Sequence, residues 1–122
     1  MVCRRRPSVP TTVPNAAMTD AVDDAFRALR VEYLASLPDR LEELRADVAS
    51  LRSGKSEVAS ALKVRFHRLA GSGGSYGFAR LSALAREAEH WLTANAGVRE
   101  TDGLELILTR LSEAATKAQR EI

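Results

Sequence analysis

Apolar residues recur every three or four positions along most of this chain, and that period belongs to the helix. Val22, Phe26, Leu29, Tyr33, Leu37, Leu41, Leu44, Val48 and Leu51 fall on one helix face. Val58, Leu62, Phe66 and Leu69 form a second stripe, and Leu81, Leu84, Ala88 and Trp91 a third. Leu104, Ile107, Leu108, Leu111, Ala115 and Ala118 form the fourth. No alternation of period two is long enough for a strand. The pattern predicts an all-α fold, an antiparallel four-helix bundle whose apolar faces meet in one core.

Pro38 interrupts the first stripe without changing its register. The first helix is therefore expected from about 20 to 52, long and kinked or split near Pro38. Ser53-Gly54 should stop it, with Gly54 in the left-handed region. Ser56 is the expected N-cap of the second helix, Asn95–Gly97 closes the third, and Asp102 with Glu105 has capping-box spacing. Residues 1–18 hold three of the four prolines among Ser, Thr and Arg. They read as a disordered tail before a bundle domain over 19–122.

Charge and cysteine content exclude several functions. The net charge of +2 comes from Arg4, Arg5 and Arg6, since fifteen basic and sixteen acidic residues remain from Asp20 onward. The bundle itself is then no nucleic-acid-binding surface. One cysteine, Cys3, and two histidines, His67 and His90, supply neither a disulfide nor a metal site. No run of about 18 apolar residues is present to span a membrane, and prolines stand where a signal peptide would be apolar. A cytoplasmic protein is expected, and a monomer, because the bundle has a complete core.

His67 lies on the wrong face for a core residue. On the helix wheel it points about 140° away from the centre of its own apolar stripe. Lys63, Ala70, Gly71 and Gly74 share its face at spacings of three, four and seven. A helical glycine costs about 1 kcal/mol relative to alanine. Either Gly71 and Gly74 end the helix, or they clear side chains from a ring that another molecule approaches. His90 is expected at the surface without a chemical role. Glu89 sits at the edge of its stripe, as a plain boundary carboxylate or facing the His67 ring.

The segment Phe66-His67-Arg68-Leu69-Ala70-Gly71-Ser72-Gly73-Gly74-Ser75-Tyr76-Gly77-Phe78, followed by Leu81 and Leu84, resembles the active-site motif of histidine-containing phosphotransfer (HPt) domains. The family motif is His-x-Leu-Lys-Gly with small residues and a further glycine, then a leucine-bearing helix. His67, Leu69, Gly71, Gly74, Gly77 and Leu81 fall in its places, and Glu89 matches the family's acidic or amide residue on the next helix. The chain departs from the motif at Ala70, where the family usually has lysine. Lys63 is a candidate substitute, or simply a solvated charge.

The resemblance implies a phosphorelay intermediate of bacterial two-component signalling. His67 would accept a phosphoryl group from a response-regulator receiver domain or a hybrid histidine kinase and pass it to a receiver aspartate. It would be a phosphoryl carrier with no cofactor of its own, the Mg²⁺ being supplied by the receiver. The chain has no phosphate-cradling loop and no kinase ATP site, in keeping with that role. The alternative is a helical interaction module that binds a receiver or kinase but has lost phosphotransfer with the missing lysine.

Overall fold

The computed structural model describes residues 8–98 and 100–122, with side chains from residue 19 onward. Four helices follow one another: α1 (Ser8–Arg52), α2 (Val58–Ser75), α3 (Ala79–Ala94) and α4 (Asp102–Glu121). The links are too short to cross the bundle, so neighbours in sequence run antiparallel. Each helix packs on two others, α1 on α2 and α4, and α3 on α2 and α4. The core between them is mostly leucine, with Leu37, Leu62, Phe66, Leu84, Leu104 and Leu111 wholly buried.

α1 differs from its expected outline at its N-terminal end. It begins at Ser8 rather than near residue 20, so residues 8–18 are helical where a disordered tail was expected. Pro10 falls in the first turn, where amide protons have no helical acceptor and a missing one costs nothing. Residues 1–7 of that expected tail lie outside the described residues. At its other end α1 stops as expected, with Gly54 at φ 104°. The helix passes through Pro38 as one element. Pro38 cannot donate to the carbonyl of Leu34, and the side-chain amide of Gln119 on α4 donates to that oxygen instead, at 3.3 Å.

The apolar stripe on α1 is only partly core. Tyr33 through Leu51 are buried, but Val22, Phe26 and Leu29 are 64%, 42% and 48% exposed. α1 has 45 residues and its partners 16 to 20, so about 67 Å of helix lies against elements half that length or less. Its first part overhangs the bundle.

Two expected caps also differ. α2 starts at Val58 after Glu57, with no side-chain cap, rather than on Ser56. At α4 the N-cap is Thr101, and Asp102 and Glu105 form no capping box. Instead Arg52, in the last turn of α1, binds Asp102 at 2.8 Å and Glu105 at 2.6 Å, and the Thr101 hydroxyl donates to Glu105. These carboxylates join the ends of two helices rather than close one.

Candidate functional site

α2 carries the site because its glycines leave the helix intact. It runs through Gly71, Gly73 and Gly74 to Ser75 and ends only at Gly77, whose φ is +83°. There the Phe78 amide donates to the Gly73 carbonyl and the Gly77 amide to that of Gly74, the paired bonds of a Schellman motif. Gly71 and Gly74 thus do not terminate the helix.

The glycines differ in what surrounds them. A Cβ on Gly71 would meet nothing within 4 Å, so the space beside it is open. On Gly74 it would lie 3.4 Å from the hydroxyl oxygen of Ser82 on α3. On buried Gly73 it would lie 3.4 Å from the Ser82 backbone nitrogen and 3.5 Å from the Leu81 Cβ. Gly73 thus faces the start of α3 at ordinary contact distance, a placement the sequence did not signal. Ser82, also unforeseen, is buried between these helices and donates to the Ala70 carbonyl at 2.7 Å.

The α2–α3 seam brings a carboxylate to the ring. His67 is 76% exposed, and its Nδ1 lies 3.2 Å and 3.3 Å from the two carboxylate oxygens of Glu89 on α3. An ionised carboxylate only accepts, so Nδ1 carries the proton and donates. In the neutral ring the lone pair then belongs to Nε2, which has no partner among the described residues, on a side chain open to solvent. The structure thus places His67, Glu89 and the open surface of Gly71 together.

The remaining candidates are placed otherwise. Lys63 is half-buried and pairs with no acid among the described residues. Ala70, the position of the family lysine, is 4% exposed in the α2–α3 seam. A lysine there would have to lead its stem outward before its charge reached water. His90 is exposed, as expected. Under the site, the Tyr33 hydroxyl on α1 lies 2.8 Å from that of Ser72. Burial raises the Tyr33 pKa above its ordinary value, against the opposing effect of that hydrogen bond. Tyr33 therefore stays a neutral strut fixing α1 to the last turn of the site helix.

Among the described residues no group of His, Cys, Asp and Glu is arranged to hold a metal ion, and no helix is long and apolar enough to cross a membrane. No curated protein and no solved structure gave a significant match to the chain. A family model, described as the Hpt domain, matches residues 28–119, from the end of the α1 overhang through almost all of α4. A helical bundle with an exposed histidine on α2, matched to that family over three-quarters of its length, belongs to the Hpt domain family.

Proposed function

We propose that this Hpt domain relays phosphoryl groups through His67, exchanging them with the aspartate of a response-regulator receiver domain. Histidine phosphotransfer in two-component signalling is the family's work. The observation that carries the assignment to His67 is its geometry: an exposed imidazole with Nδ1 held by Glu89 and Nε2 free toward solvent.

Transfer inward begins with the Nε2 lone pair attacking the phosphorus of a receiver's aspartyl phosphate. The P–N bond forms as the P–O bond breaks, and the aspartate leaves as its carboxylate. The Nδ1 proton stays on the ring, where the Glu89 carboxylate faces the positive charge that develops. Onward transfer reverses these steps. Phosphoryl transfer depends on alignment and charge neutralisation more than on covalent help. Glu89 contributes alignment, and the bare surface at Gly71 admits the receiver's catalytic pocket. The receiver brings the Mg²⁺, which supplies charge neutralisation. Lys63, one helical turn before His67, takes the charge role that the family gives to the lysine replaced here by Ala70.

The test uses His67→Gln with receiver domains charged by a small-molecule phosphodonor. The variant should keep the wild-type circular dichroism and lose all acid-labile, base-stable label. Label retained in His67→Gln would remove the histidine from the relay. A wild-type chain that binds receivers but never becomes labelled would instead be a helical interaction module.

A further inference from the structure

We propose that Arg86 on α3 is a phosphoryl-binding residue, whose guanidinium holds the phosphoryl group carried by His67 from the side that Gly71 leaves open. The proposal rests on the relay through His67 and adds to it a residue from the facing helix.

The register of the α2–α3 seam fixes where Arg86 stands. His67 meets Glu89, and the Cβ position of Gly74 meets Ser82. From His67 on to Gly74 and from Glu89 back to Ser82 the step is the same, about two helical turns, so the antiparallel helices run in step. Arg86 precedes Glu89 by as many residues as Ala70 follows His67. It is therefore level with Ala70, about 4.5 Å along the bundle from the ring. On the helix wheel Arg86 turns about 60° from Glu89, away from buried Leu84, Ala88 and Leu92. Gly71 turns about 40° from His67, away from buried Phe66 and Leu69. Because the helices are antiparallel, both turns lead to one outer surface, the surface on which the His67 ring is open to solvent.

Nothing on that surface neutralises Arg86. It is exposed and forms no ion pair among the described residues. α2, the helix across the seam, has no acidic residue between Val58 and Ser75. Within one turn of Arg86 on α3 the only acid is Glu89, whose carboxylate is held by the His67 Nδ1. The way across is also clear, since a Cβ on Gly71 would meet nothing within 4 Å. Helices in contact lie about 8–10 Å apart, a gap that the long arginine side chain spans. An arginine without a counter-charge thus overlooks the histidine, and the phosphoryl group on His67 is the anion that completes the site. Guanidinium offers parallel N–H donors to two phosphoryl oxygens and keeps its charge throughout. It forms no covalent bond in the transfer and gives up no proton. Lys63 stands one turn to the other side of His67, so the two cations flank the phosphoryl group.

The test is the exchange equilibrium between the full chain and a receiver domain charged with acetyl phosphate and then freed of donor. The equilibrium constant compares the separate proteins. A residue that only docks the receiver therefore alters the rate of approach and not the final partition. Arg86→Gln should lower the ratio of phosphohistidine to aspartyl phosphate about two- to fivefold, the scale of one exposed charge pair, and Arg86→Glu should lower it further. Arg86→Lys keeps the charge and should stay within about twofold of wild type. All three should keep the wild-type melting temperature, because Arg86 is exposed and has no partner in the unphosphorylated chain. Lys63→Ala combined with Arg86→Gln should fall below either change alone. A wild-type partition in Arg86→Gln and Arg86→Glu overturns the proposal and leaves the relay standing. A loss that is the same for Gln, Glu and Lys, and so independent of charge, overturns it too. A wild-type chain that takes no label overturns the relay and this proposal with it.

Discussion

Glu89 sits against an imidazole that is mostly in water, so its value lies in orientation rather than in stability. A partner that fixes the tautomer of a functional histidine typically accounts for about ten- to a hundredfold in activity. Glu89→Ala should therefore slow phosphotransfer by roughly tenfold while the melting temperature stays nearly unchanged. Stopped-flow transfer rates read beside thermal melts check this, and an unaltered rate would show that the contact does not position the ring. The glycines on the same face divide by what lies beyond them. Gly71→Leu enters open space, so it should leave stability equal or improved by up to about 1 kcal/mol while transfer falls. Gly74→Leu brings a side chain against Ser82, whose hydroxyl is committed to Ala70, and should destabilise the fold as well. Chemical denaturation of the two variants should separate them. The helix wheel finds His67 because exposure follows from periodicity. It cannot distinguish Gly71 from Gly74, because their difference resides on another helix.

Pro38 and Gln119 form a coupled pair between α1 and α4. Gln119→Ala leaves the Leu34 carbonyl without its donor and should cost about 0.5–1.5 kcal/mol. In a Pro38→Ala background the backbone amide returns, and the same change should cost close to nothing. Additive denaturation energies in this double-mutant cycle would refute the coupling. α3 and α4 meet at a second such place, where a Cβ on Gly103 would come within 2.6 Å of the Trp91 indole nitrogen. Gly103→Ala must displace that ring, so the emission of the chain's single tryptophan should shift and stability should fall by about 1–3 kcal/mol. The four stripes and the stop at Gly54 were legible because each depends on neighbours in sequence. The buried half of α1, the joining of Arg52 to Asp102 and Glu105, and the bond from Ser82 to Ala70 across the α2–α3 seam were not. Each is decided by the length or position of a different helix, and periodicity records amphipathic character without recording what covers it.

Taken whole, the molecule divides into a bundle that holds its own core and an overhang that contributes little to it. Deleting residues 1–27 should lower the melting temperature by less than about 8 °C, because the loss is confined to one exposed stack worth roughly 1 kcal/mol. The shortened chain should transfer phosphoryl groups as the full one does, since it retains the residues matched to the family. A large loss of stability would mean that the overhang supports the core after all. The fold serves the site by placing one histidine between an open helix face and a carboxylate on the adjoining helix, so the central claim concerns a single atom. Nitrogen-15 NMR of the imidazole-labelled chain after treatment with phosphoramidate reads that atom directly. The account predicts a phosphorus-coupled Nε2 resonance from His67, with the Nδ1 proton retained. Phosphorylation at Nδ1, or at His90 in place of His67, would contradict it.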